Sequence, residues 1–143
     1  MVVEDVVRHL GGHEQLGREV ETEFDLVRLV RSGLPPSALE AVIERGMLSR
    51  QEAEELIIPR RTLAHRKNRG EPLTTDESDK LARVVRIGAL AEETFQNAEK
   101  AHAWLRDPNR ALGGERPLDL LRTEGGARLV EQTLGRISYG VHS

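Results

Sequence analysis

The chain has 143 residues, no cysteine, and 21 Lys+Arg against 24 Asp+Glu, a net charge of −3. That length is one domain or two small lobes able to fold unaided, and the missing cysteines exclude disulfides, thiolate metal sites and cysteine nucleophiles. The mild acidity means that a nucleic-acid site must be a local patch, while Glu4 and Asp5 stand where a signal peptide needs positive charge and no apolar run nears the roughly 18 residues of a membrane span, so a soluble cytoplasmic protein is expected.

In chain order, Val3, Val6, Val7 and Leu10 sit at helical spacing and predict a short helix from Val3 to Gly12, ended by Gly11-Gly12. His9 and His13 are four apart, a metal-ligand spacing on a continuous helix, but two glycines intervene and no third ligand is evident, so no metal is expected. Thr22 to Arg31 repeats the amphipathic pattern with Phe24, Val27, Leu29 and Val30 and is closed by Ser32-Gly33. Ser37 or Pro36 opens a further helix, Ala38 to Arg45, with Leu39, Val42 and Ile43 inward and Gly46 as the stop.

Ser49 with Glu52 makes a capping box, so a helix begins there and runs to about Leu56. Ile57-Ile58-Pro59 turns the chain into a second helix, Pro59 to Asn68, and two short helices with so tight a turn read as a helix-turn-helix. The second helix concentrates Arg60, Arg61, Arg66 and Lys67, with Arg69 just beyond and no acid among them. With Leu63 inward, 100° per residue puts Arg61, His65 and Asn68 on the outward face and Thr62 and Arg69 on its flank. Arg61, Thr62 and His65 are therefore the candidates for base edges, and Arg60, Arg66, Lys67 and Arg69 for the phosphate backbone, where they would set a steep salt dependence. The competing interpretation is a solvated basic face balanced by Glu52, Glu54 and Glu55 on the preceding helix.

Gly70-Glu71-Pro72 breaks the chain, and Thr75 with Asp76, Glu77 and Asp79 opens the longest helix, predicted to run to about Asn97. Leu81, Val84, Val85, Gly88, Ala91 and Phe95 form one stripe, with Ile87, Leu90 and Thr94 beside it. A helix apolar on two faces needs two partners, one of which is expected to be the C-terminal lobe or a second copy of the chain. A homodimer would place paired recognition helices about 34 Å apart, one turn of DNA.

The rest reads as three short helices. Asp107-Pro108-Asn109 stops the first, Pro117 starts the second, Thr123 caps the third, and Gly140 is expected to end it. Trp104, Leu105, Leu112, Leu118 and Leu121 supply a core, together with the stripe Ala127, Val130, Leu134 and Ile137. No nucleophile with its base, carboxylate pair or phosphate-cradling loop has a signature, and Gly113-Gly114 before Glu115 is a turn, so catalytic residues, cofactor and small-molecule substrate are all expected to be none.

The stretch contains Ala103-Trp104-Leu105, the run Pro108-Asn109-Arg110-Ala111-Leu112-Gly113-Gly114, Pro117-Leu118 with Leu120-Leu121, Gly125-Gly126-Ala127-Arg128, and Leu134-Gly135-Arg136-Ile137 followed by Gly140-Val141. In these residues it resembles the toxin-binding domain of the Xre/MbcA/ParS antitoxin family, partners of RES-type toxins. Gln96-Asn97 stand where the family tends to have a glycine after Phe95, and His142 where an aromatic residue is commoner.

The resemblance implies an all-α protein: an Xre-like helix-turn-helix bundle over residues 1–97 for DNA binding and dimerisation, then a three-helix lobe over 98–143 that binds the toxin. It further implies an antitoxin of a type II system that blocks an NAD-degrading RES toxin and occupies operator DNA of their shared operon. Toxin contacts are expected from Arg128, Arg136, Tyr139, Val141, His142 and Ser143, the last helix and tail lying over the NAD pocket. The alternative is a stand-alone helix-turn-helix regulator whose C-terminal lobe only dimerises.

Overall fold

The computed structural model describes residues 3–142, and side chains from 3 to 140. Among the described residues the chain is all helical, with ten α-helices, one 3-10 turn and no strand. It divides into two compact units, Met1–Val85 and Arg86–Ser143, so that the longest helix contributes to both.

The N-terminal unit begins with α1 (Val3–His9) and α2 (Gly12–Leu16). The glycines that end α1 take positive φ, +106° at Gly11 and +89° at Gly12, and start a five-residue helix that the sequence pattern does not announce. His9 Nδ1 lies 2.7 Å from the Asp5 carbonyl and His13 Nδ1 accepts the Val20 N–H at 3.1 Å, so each ring meets backbone rather than a shared metal point. Helix α3 (Glu23–Ser32) is held by a Thr22–Asp25 capping box. It departs from the sequence expectation: Leu26 and Leu29 are buried, while Phe24 and Val27 are exposed, Phe24 lying under the Arg28 guanidinium at 4.6 Å. The apolar residues of this helix lie on two faces, and the Leu26–Leu29 face is the one that packs.

Helix α4 (Pro36–Glu44), with Pro36 in its first turn, packs against α2 and against α5 (Arg50–Leu56) and α6 (Arg60–Arg69). The loop at Gly33 fixes this frame. Gly33 has φ +97°, and a Cβ there would come within 2.3 Å of the Leu73 carbonyl oxygen. Leu73 N–H donates to the Leu34 carbonyl at 2.9 Å, and Leu34 N–H donates to the buried Ser78 hydroxyl at 2.8 Å, seating the loop on the start of α7 (Thr75–Phe95).

The C-terminal unit contains the last turns of α7, then α8 (Ala98–Arg106), the 3-10 turn Arg110–Leu112, α9 (Pro117–Leu120) and α10 (Glu124–His142). Helix α7 ends two residues earlier than the sequence suggests, because Gln96 turns to φ +50° and Asn97 caps α8 through the Lys100 N–H at 2.8 Å. Asn109 caps the 3-10 turn, and Gly113 and Gly114 follow with positive φ. Leu105, Leu112, Leu118, Leu121, Ala127, Val130 and Leu134 form the core. Trp104 is only half-buried, its ring 5.8 Å from that of Phe95. A further expectation is corrected at α10. The helix passes through Gly140 to His142, since Gly140 keeps a helical φ and a lone glycine costs about 1 kcal/mol without breaking a helix. Gly126 is the residue its packing depends on: a Cβ there would meet the Leu120 carbonyl oxygen at 1.9 Å.

Candidate nucleic-acid interface and C-terminal groove

The Ser49–Glu52 capping box starts α5, with Glu52 N–H donating to Ser49 Oγ at 3.1 Å and Ser49 N–H to Glu52 Oε1 at 2.8 Å. Ile57 and Ile58 are buried in the turn, and Pro59 precedes α6 as its cap residue. Leu63 is the buried residue of α6. Arg61 and His65 are exposed on the other side, with Thr62 half-buried beside them, and neither Arg61 nor His65 has a hydrogen-bond or ion-pair partner among the described residues. This is the outward face the helical wheel draws.

The remaining cations of α6 each meet a carboxylate, supplied mostly by residues other than those on the preceding helix. Arg60 lies 3.6 Å from Glu54 and Arg69 3.9 Å from Glu71, both pairs exposed. Lys67 bonds to Glu40, which Arg50 also holds in a fork at 2.8 and 3.3 Å. The Arg50 hydrogen bonds, outweighing partial burial and aided by Lys67, pull the Glu40 carboxyl down to about 2. Arg66 bonds to Glu77 through both guanidinium arms, the second at 3.3 Å. Glu52 is occupied by its cap, and Glu55 accepts from Gln51 at 3.2 Å. Arg50 and Glu40 escape a sequence reading, because the pairing bridges 27 residues from Glu40 to Lys67.

In the C-terminal unit, α10 turns an exposed stripe outward: Arg128, Gln132, Gly135, Arg136 and Tyr139, with Leu129 exposed beside it. Leu90 and Phe95 at the end of α7 face Arg128, Gln132, Gly135 and Tyr139 across a groove of about 990 Å³. Arg128 has no ion pair or hydrogen bond among the described residues, and Arg136 donates to Thr133 Oγ1 at 3.3 Å. Arg86 ties α7 to α10 through Glu124 and Glu131, each at 2.9 Å, and His102 meets Glu92 at 2.9 Å. Of the other expected contacts, Ser143 and the side chains of Val141 and His142 lie outside the described residues. Among the described residues no three His, Asp or Glu side chains come together as a metal site, and no helix is long and apolar enough to cross a membrane.

Comparison with known proteins follows the same division. Residues 25–86 match the antitoxin Xre-like helix-turn-helix domain, and residues 90–140 match the antitoxin Xre/MbcA/ParS C-terminal toxin-binding domain. The chain is 37% identical to the antitoxin Xre of Pseudomonas putida, across 95% of this chain and 90% of that protein. It is 38% identical to an antitoxin Xre of Yersinia enterocolitica across 60% of this chain and 59% of the relative. A Prs ADP-ribosylating antitoxin of Sphingobium is 29% identical, with 81% and 79% covered.

Proposed function

The chain belongs to the Xre antitoxins, the neutralising members of toxin–antitoxin pairs, and on that premise we propose that its C-terminal lobe silences a RES-type, NAD-degrading toxin by laying the end of α10 over the active site. The observation that carries this reading is the state of α10 beyond Gly135. Among the described residues none from Arg136 to Gly140 is buried, Ile137 and Ser138 being half-covered, so these turns contribute little to the lobe's own core. Tyr139 and Arg128 stand exposed along the same helix, with the groove beside them to receive a partner's side chains. The name of the Sphingobium relative couples an antitoxin to ADP-ribosylation, chemistry that draws on NAD as donor, and this supports an NAD-consuming partner. Arg128, Arg136 and Tyr139, with Val141, His142 and Ser143 beyond them, form the contact set. The protein itself acts by covering a site rather than by catalysis.

The helix-turn-helix half serves operator DNA of the shared operon. Arg61, Thr62 and His65 meet base edges in the major groove, and Arg60, Lys67 and Arg69 meet phosphates, in a homodimer whose two α6 helices lie about 34 Å apart. The experiment expresses the neighbouring toxin in a host cell and follows intracellular NAD. Co-expression of the full chain preserves NAD, whereas a copy ending at Gly135 still binds DNA but leaves NAD to collapse. Full protection by the shortened copy would remove the end of α10 from the mechanism.

A further inference from the structure

Four cations flank the outward face of α6, and their surroundings are not alike. Arg60 and Arg69 are about two-thirds exposed and sit 3.6 and 3.9 Å from exposed carboxylates, pairs too loose and too solvated to compete with a phosphate. Lys67 shares Glu40 with Arg50, so that trio keeps one net positive charge. Arg66 differs on both counts. Its side chain is 18% exposed and that of Glu77 14%, and the pair is one to one, with no charge left over.

Glu77 is itself held in place. Its Oε1 accepts the Thr74 N–H at 2.8 Å, and its own N–H donates to Thr74 Oγ1 at 3.1 Å, a capping box at the start of α7. Burial alone would push the Glu77 carboxyl up, but the bonds from Arg66 and Thr74 outweigh it, so the group stays charged. On its inner side α6 has one buried residue, Leu63. Lys67 also reaches Glu40 on α4, but that pair is more exposed and its acid is shared with Arg50, so Leu63 and Arg66, one turn apart on the inner side, are the two covered attachments that fix which side chains face out.

From this geometry we infer that Arg66 is a positioning residue rather than a phosphate ligand, and that Glu77, on a different helix from any base contact, sets DNA specificity by hooking Arg66 and fixing the roll of α6. The inference rests on the DNA-binding reading above.

The test measures binding of the full chain to a duplex from directly upstream of its own reading frame and to a scrambled duplex of equal length, by fluorescence anisotropy across salt concentration. Arg69→Ala supplies the phosphate-contact reference: weaker binding to both duplexes and a slope of log K against log salt shallower by about 0.9. Arg66→Ala and Glu77→Gln instead lose about tenfold on the upstream duplex alone, roughly one mis-seated base contact, with the slope unchanged. Glu77→Gln keeps an N-terminal cap, so α7 still starts where it does.

Tighter binding of Glu77→Gln to both duplexes, or a slope shallower by about one in Arg66→Ala, would make Arg66 a phosphate contact released from its acid and overturn the inference. A wild-type chain that does not prefer the upstream duplex at any salt concentration refutes the DNA reading itself, and this inference with it.

Discussion

Replacing Gly126 by alanine sets two effects of known sign against each other. Helix propensity favours alanine over glycine by up to about 1 kcal/mol in α10. Packing opposes it, because the new Cβ would lie 1.9 Å from the Leu120 carbonyl oxygen and 2.8 Å from its carbon. An ordinary C···O contact is about 3.3 Å, so α9 and α10 must separate by about 1.4 Å, and the obstacle is backbone that no rotamer change can move. Overpacking of this kind costs about 1–3 kcal/mol and more where backbone must shift, which leaves a net loss of about 2 kcal/mol.

Gly125 is the internal control. It lies in the same first turn with nothing within 4 Å of its Cβ position, so alanine there gains propensity without a clash. Urea unfolding followed by helical circular dichroism therefore separates the variants in opposite directions, with Gly125→Ala above wild type and Gly126→Ala below it. At this chain length a 2 kcal/mol loss also lowers the melting temperature by about 5–10 °C. Equal stability of the two variants would refute the account of how α9 seats on α10.

Gln96→Gly should raise stability by a few tenths to about 1 kcal/mol, since it relieves a φ of +50° at a non-glycine residue; thermal melts read this, and a loss would show that the Gln96 side chain matters more than its backbone. Glu40 is held near 2 against an ordinary value of 4.5, so its carboxylate contributes stability above about 4.5 that is lost as the pH falls toward 2. Glu40→Gln should flatten the acid limb of the stability curve across that window by about 1 kcal/mol after screening, as urea midpoints measured by pH would record. Arg61→Ala should lower affinity for the upstream duplex by about tenfold or more while sparing toxin inhibition, and equal loss on scrambled DNA would demote Arg61 from base reader to phosphate contact.

What the sequence made legible was local. The capping pair Ser49–Glu52, Pro117 in a first turn, the Thr123 cap and the Leu63 wheel are decided by residues within one turn of each other, and all stand in the structure. The choice between the two apolar stripes of α3 is a tertiary matter, which is why Phe24 and Val27 point out and Leu26 takes the core. Partners far along the chain were equally invisible: Glu40 for Lys67, Glu77 for Arg66, and Glu124 and Glu131 for Arg86. The departure from the family pattern at Gln96 has a physical basis, since that position turns left-handed, where glycine is favoured. The five residues of α2 fall below the length at which periodicity can be recognised.

NAD consumption by the purified toxin encoded beside this chain, titrated with the purified full-length chain, tests the central claim most directly. The account predicts that activity falls to baseline at a simple molar ratio of the two proteins. Undiminished turnover at every ratio would contradict it, and would leave a DNA-binding regulator whose C-terminal lobe has another use.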